Sequence, residues 1–177
     1  MEYTTHYDSP LGKLTLAGDG ENLTGLWFDG QKYAPYPSPE SPAPQELPVF
    51  IRTRQWLDIY FSGKAPGFTP PLSVNGSDFR QAVWKILLTI PFGRTMTYGE
   101  IAKEIAARKG IKKMSAQAVG GAVGHNPVSI IVPCHRVIGA NKNLTGYAGG
   151  IERKVRLLTI EHVDMSGLSI PKTGTAL

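Results

Sequence analysis

Residues 97–127 read TYGEIAKEIAARKGIKKMSAQAVGGAVGHNP, and this stretch decides the architecture of the second half of the chain. Thr97 followed three positions later by Glu100 has the form of a capping box, in which each side chain satisfies the other's backbone N–H at a helix start. Ile101 and Ile105 then recur at helical spacing on one face. Ser115 opens a second, shorter helix that must end before Pro127. Two helices joined by a short loop form a helix-turn-helix pattern. The second helix carries Ala116, Ala118, Gly120, Gly121, Ala122 and Gly124, so several of its faces have almost no side chain. Glycine costs helix stability, and such a surface implies close approach to something. Two readings are open at this point: another helix packed tightly, or a narrow nucleic-acid groove. Arg108, Lys109, Lys112 and Lys113 precede the helix and could meet phosphates.

Upstream of this stretch, Ser77 or Asp78 caps a helix through Val83, Ile86 and Leu87 that stops before Pro91. Downstream, a last helix runs from about Gly150 to His162 on a stripe of Ile151, Val155 and Leu158. The first 76 residues have a different texture. Tyr3, Thr5 and Tyr7, then Leu14 and Leu16, then Leu23, Leu26 and Phe28 alternate as half-buried strands do. Pro10-Leu11-Gly12 and Gly18-Asp19-Gly20 separate them as turns, which predicts an antiparallel meander. Val49, Phe50, Trp56, Leu57, Tyr60 and Phe61 predict one amphipathic helix between Leu47 and Phe61, with Gly63 as its stop. The proline-rich residues 34–48 predict an exposed loop, with a polyproline docking site as the lesser alternative. The expected organisation is therefore α+β: a domain over 1–76, a mainly helical domain over 77–165, and a short frayed tail over 166–177.

Composition narrows the function. The 177 residues carry a formal charge of +5 and 19% charged residues, ordinary for a globular protein and a mild bias toward anionic partners. No apolar run approaches the ~20 residues of a membrane-spanning helix. The start, MEYTTHYDSPLG, lacks a basic region followed by an apolar one, which predicts an unprocessed cytoplasmic protein. One cysteine, Cys134, excludes an internal disulfide and any multi-thiolate metal site.

That cysteine stands in Ile130-Ile131-Val132-Pro133-Cys134-His135-Arg136-Val137. A lone cysteine after an apolar run is more commonly an inert core residue. Here, however, His135 and Arg136 end the apolar run, so that Cys134 is expected at the mouth of a strand. A neighbouring imidazole can accept the thiol proton, and cationic surroundings favour the thiolate. A base works better when a third group orients it, and Glu161 is the candidate: it lies one turn beyond Leu157 and Leu158, on the apolar side of the last helix.

Pro133-Cys134-His135-Arg136-Val137 resembles the active-site signature of the O6-alkylguanine-DNA alkyltransferases, the methylated-DNA–protein-cysteine methyltransferases. The likeness extends through Gly93-Arg94-Thr95-Met96-Thr97-Tyr98-Gly99-Glu100-Ile101-Ala102, the glycine-rich helix with Asn126-Pro127, and Leu144-Thr145-Gly146-Tyr147-Ala148-Gly149-Gly150. It closes on Leu157-Leu158-Thr159-Ile160-Glu161 and covers residues 77–163 strongly. The Ser9–Gly12 hairpin and the Trp56–Gly63 helix match the family's N-terminal domain more loosely.

The resemblance implies a ribonuclease-H-like antiparallel-sheet domain followed by a helical domain that binds DNA through its helix-turn-helix. It implies a single-turnover repair protein that binds the minor groove of double-stranded DNA, flips an O6-alkylguanine, and takes the alkyl group onto Cys134; O4-alkylthymine is a further candidate substrate. His135 is then the base, acting through a water, Glu161 its orienting partner, and Asn126 the brace between recognition helix and active site. Tyr98 helps rotate the phosphate and donates to the base, Tyr147 stacks on the guanine, and the backbone at Val137 and Ala148 meets the guanine edge. Ser115, Ala116, Gln117, Ala118, Gly120, Gly121 and Arg136 are expected at the DNA.

Many family members carry an arginine at the position of Gln117, inserted into the stack that the flipped base leaves. Glutamine is shorter and uncharged and offers no equivalent cation stacking. The cysteines that hold zinc in some relatives are absent, so no metal is expected, and the chemistry requires no cofactor. A monomer is expected. The rival readings are a non-catalytic sensor of alkyl damage, a Cys-His hydrolase and a helix-turn-helix regulator. The presence of Cys134 argues against the sensor, and adjacent Cys and His are not the usual hydrolase arrangement. A pure regulator leaves the His135 and Glu161 positions unexplained.

Overall fold

The computed structural model describes residues 2–34 and 46–170, so most of the proline-rich 34–48 stretch and the end of the expected tail lie outside the described residues. Two compact units emerge: one of residues 1–75 with 127–131, the other of 76–126 with 132–177. The division does not follow the chain contiguously, because residues 127–131 return to the first unit. There Leu26 N–H donates to Pro127 O at 2.9 Å and Ser129 N–H to Leu26 O at 2.8 Å.

In the first unit, β1 (Tyr3–Ser9), β2 (Gly12–Gly18) and β3 (Leu23–Phe28) form an antiparallel meander in that order. Leu14 pairs with Phe28 and Leu16 with Leu26, so these side chains share one face. Helix α1 (Pro48–Phe61) begins on a proline at its first turn, where the missing N–H costs nothing. It buries Val49, Phe50, Trp56, Leu57 and Tyr60.

In the second unit the expected caps are present. The Ser77 hydroxyl accepts from Arg80 N–H at the start of α2 (Asp78–Leu87). Thr97 and Glu100 form the full capping box of α3 (Tyr98–Lys109), which ends at left-handed Gly110. Ser115 caps α4 (Ala116–Gly124), and α4 packs on both α2 and α3. Helix α5 (Ile151–Ile160) closes with His162 left-handed and Val163 N–H donating back to Leu158 O at 3.0 Å, a Schellman ending.

Three expectations are corrected. The apolar run before Cys134 is not a strand: Ile130 is left-handed (φ 70°) and tight turns carry Ser129 to Cys134. Cys134–Arg136 is one turn of 3-10 helix, so Cys134 stands inside the protein instead of at a strand mouth. What does pair is a short parallel ladder between β4 (Met96–Thr97) and β5 (Val137–Ile138), with Met96 opposite Val137. The frayed tail does not begin at Ser166, because Ser169 is hydrogen-bonded through its backbone to Lys142 and Leu144. Among the described residues no helix is long and apolar enough to cross a membrane.

Candidate active site

The turn at Val132–Cys134 is braced twice. Cys134 N–H donates to Val132 O at 2.8 Å, and the Asn126 amide nitrogen donates to the same carbonyl at 2.7 Å. The Asn126 side chain also reaches the Cys134 thiol. Burial pushes the thiol pKa up, and the hydrogen bond from Asn126 and the charge of Lys154 offset this only in part. Burial therefore favours the protonated thiol over the thiolate.

Glu161, at the end of α5, collects three donors from two distant places. His135 Nε2 donates to its Oε2. Arg136 Nε and Gly93 N–H both donate to Oε1, at 2.7 and 3.0 Å. Gly93 is left-handed (φ 80°), and a Cβ there would stand 3.0 Å from Glu161 O, so both the turn and the approach require glycine. Burial works to raise the Glu161 pKa, but the bond and charge of His135 and the Arg136 guanidinium outweigh it and hold the carboxyl at about 2. Burial lowers the His135 pKa despite the carboxylate. A neutral imidazole facing an ionised, acceptor-only carboxylate must carry its proton on Nε2. Its Nδ1 is then the basic atom, able to receive a thiol proton.

Lys154 completes the buried set. It is fully buried in the first half of α5, and its Nζ donates to Val137 O at 2.5 Å, Thr145 O at 2.9 Å and Gly146 O at 3.4 Å. Burial brings its pKa down to about 8, opposed by the attraction of Cys134. Tyr98 OH donates to the same two carbonyls of Thr145 and Gly146, at 3.3 and 3.4 Å. Burial and the nearby thiol push its pKa upward. Tyr147 is buried, with its ring edge-to-face to His135 at 6.5 Å. A neutral imidazole, an oriented carboxylate and a buried cation thus surround one thiol, the candidate nucleophile. The arrangement suits nucleophilic attack by sulfur. Among the described residues no three His, Cys, Asp or Glu side chains stand together as a metal would need.

The outer face of α4 differs. Ser115, Ala116, Gln117, Ala118 and Gly121 are exposed, and a Cβ on Gly121 would meet nothing within 4 Å. Val119, Gly120, Ala122, Val123 and Gly124 are buried, and Trp84 Nε1 donates to Ala122 O at 2.9 Å. Tight helix packing therefore holds for the inner face of the small-residue helix, and its outer face is open.

A family model described as the DNA-binding domain of 6-O-methylguanine DNA methyltransferase matches residues 78–163, and that family's ribonuclease-like domain matches residues 2–74. The chain belongs to this methyltransferase family. It is similar to the methylated-DNA–protein-cysteine methyltransferase of Mycobacterium tuberculosis, 50% identical over 159 residues, 88% of this chain and 92% of the relative. It is likewise similar to the Haemophilus influenzae protein of that name, 43% identical over 162 residues, 91% of this chain and 87% of the relative. Among solved structures, the O6-methylguanine methyltransferase of M. tuberculosis matches with a TM-score of 0.76 and 48% identity, covering 91% of this chain and 93% of that one. The M. tuberculosis protein in complex with DNA matches at the same TM-score and identity, covering 91% and 92%.

Within this methyltransferase fold, Cys134, His135, Glu161, Asn126, Tyr98 and Tyr147 all fall in the second unit, and contacts link the first four as described above. Val137 is enclosed: its N–H donates to Cys134 O and its carbonyl accepts from Lys154. Ala148 is half-buried. Two residues expected at the DNA point elsewhere. Gly120 lies on the inner face of α4. Arg136 is buried, with Nε on Glu161 and Nη1 on Ile90 O at 2.6 Å, because an ionised buried carboxylate demands a counter-charge. Lys154 and Gly93 escaped the sequence reading. Lys154 could have been found as a charge among the buried positions of α5, three before Leu157 and four before Leu158. Gly93 carried no comparable signal for a bond to Glu161.

Proposed function

We propose that this chain repairs DNA by taking the alkyl group of O6-alkylguanine irreversibly onto Cys134. The observation that carries the reading is the buried Cys134–His135–Glu161 set with Lys154 beside the sulfur. His135 Nδ1 receives the thiol proton through a water, while Glu161 and its bonds to Arg136 and Gly93 keep the ring oriented. The positive charge of Lys154 favours the thiolate as it forms. Sulfur attacks the alkyl carbon; the new S–C bond forms as the C–O6 bond breaks, and its electron pair stays on O6. The departing guanine takes up a proton, donated by Tyr98, and in the net balance the thiol proton ends on the base. The thioether has no leaving group that water displaces, so each molecule reacts once.

A thiol cannot reach O6 inside a stacked duplex, so the nucleotide must be extruded. The exposed, nearly side-chain-free face of α4 suits the narrow minor groove, with Gln117 at its centre. Tyr147 walls the site against the flipped base. Every group named comes from one chain, so a monomer suffices. The test is intact mass after incubation with duplex DNA containing O6-methylguanine. A gain of one methyl, located on Cys134 and saturating at one per chain, is the expected result. Unchanged protein mass, or release of more than one repaired base per chain, overturns the reading.

A further inference from the structure

Residues 164–170 lie beyond the last residue matched by the family model, 163, yet they are attached to the loop that walls the site. Leu144 N–H donates to Ser169 O at 2.8 Å, and Ser169 N–H donates to Lys142 O at 3.1 Å, making a parallel bridge between Asn143 and Ser169. Val163, Met165 and Leu168 pack on the buried cluster of Ile138, Leu144 and Leu158. Leu168 N–H donates to Met165 O at 3.1 Å, and Ser166 N–H to the Asp164 carboxylate at 3.0 Å, so the segment turns back instead of leaving the surface. On the other side, Asn141 and Lys142 are both left-handed, and Gly139 N–H donates to Asn143 O at 2.7 Å. That turn is a single irregular 3-10 turn, Ala140–Lys142, with left-handed backbone inside it. Two residues later the same loop presents the Thr145 and Gly146 carbonyls to Tyr98 and Lys154, and then Tyr147.

We propose that residues 164–170 are a strap that positions the substrate loop, with Leu168 and Ser169 as positioning residues for alkyl transfer; this rests on the alkyltransferase reading above. Bonds on residues 142 and 144 fix the backbone immediately before the two carbonyls that hold Tyr98 and Lys154. Displacement of the loop moves the Tyr147 wall and both polar groups together. Small misplacements of this kind act on the rate of the bound complex. They need not change how α4 meets undamaged DNA.

Four proteins test this: the full chain, a chain ended at Ile170, a chain ended at Val163, and Ser169→Pro, which removes the N–H that donates to Lys142 and also fixes φ at position 169. Three measurements apply to each: amide exchange at Leu144, single-turnover rate against concentration of O6-methylguanine duplex, and affinity for undamaged duplex. Ending the chain at Ile170 should change none of them. Ending it at Val163 should speed Leu144 exchange and lower the maximal rate about tenfold, with undamaged-duplex affinity retained. Ser169→Pro should move the same two quantities in the same direction, and it carries the test alone if the shortened chain fails to fold. An unchanged maximal rate in the chain ended at Val163, or in Ser169→Pro, overturns the strap. So does a rate loss matched by equal loss of affinity for undamaged DNA. Absence of transfer by the full chain overturns the alkyltransferase reading itself, a result distinct from either.

Discussion

The second unit handles charge in two opposite ways. Around Cys134, four ionisable side chains (His135, Arg136, Lys154 and Glu161) are buried, and each has a partner fixed in direction. In the last turns of α3, Arg108 pairs with Glu104 across one helical turn and Lys109 lies 5.2 Å from the centre of the Phe79 ring, and between α3 and α4 Lys112 and Lys113 stand in solvent. The buried groups act in a low dielectric, where removing one leaves its partner stranded and costs several kcal/mol. The exposed ones are screened by salt and replaceable singly. The buried set fixes one geometry, and under the proposed function the exposed set meets a long anion at many registers.

The contrast can be broken most severely at the nucleophile. Cys134→Ser should lower alkyl transfer on the order of 10³-fold or more, because a hydroxyl ionises far less readily than a thiol. Its affinity for duplex DNA should stay near that of the parent. Gel-shift titration and a single-turnover transfer assay check the two halves, and transfer at the parental rate refutes the assignment of Cys134.

Next in size is the carboxylate. Glu161→Gln should slow transfer about 10²-fold through loss of His135 orientation. It should also cost about 3 kcal/mol of stability, since the Arg136 guanidinium is left buried without its counter-charge. Urea unfolding and transfer rate measured on the same preparation separate these effects. Lys154→Met should slow transfer by a similar factor, because the thiolate loses its buried cation and the Thr145–Gly146 carbonyls keep only the Tyr98 hydroxyl as donor.

Acid should destabilise the buried set while sparing the exposed one. His135 is held neutral below its ordinary 6.5, so the unfolded chain binds a proton that the folded chain refuses, and stability falls as pH drops through 6.5. Glu161 adds a second decline between its ordinary 4.5 and about 2, where the unfolded carboxylate protonates first. Urea midpoints should therefore decrease steadily from pH 7 to 4. Glu161→Gln should flatten the portion below about 4.5, and a parental profile independent of pH refutes the burial of both groups.

The smallest effects belong to the exposed set. Lys112→Ala and Lys113→Ala should each lower the slope of log affinity against log salt by about 1, with the maximal transfer rate unchanged. Gln117→Arg should quicken repair of duplex DNA a few-fold by filling the gap of the flipped base, with less gain on single strands and almost none on free O6-alkylguanine. Equal acceleration on all three substrates assigns Gln117 to the chemistry instead of to the stack.

The chain by itself determined whatever depends on neighbours within a turn or a hairpin. The Thr97–Glu100 capping box and the Ser77 and Ser115 caps are local signals present in the structure, and the meander of β1 to β3 forms as expected, although β2 and β3 are buried on both faces instead of alternating. The Cys134–His135 neighbourhood and the apolar-side position of Glu161 were legible for the same reason. Only the tertiary structure decided which backbone groups meet across long separations. It turned Arg136 inward onto a carboxylate that also takes Gly93 N–H from 68 residues away, and it placed the aliphatic stem and ammonium of Lys154 under a loop instead of in solvent. It also made the apolar run before Cys134 a series of tight turns, and it drew Ser169 onto Leu144. A periodic pattern records whether a residue is buried, but the partner that makes burial of a charge tolerable is chosen by packing, and that choice leaves no period in the sequence.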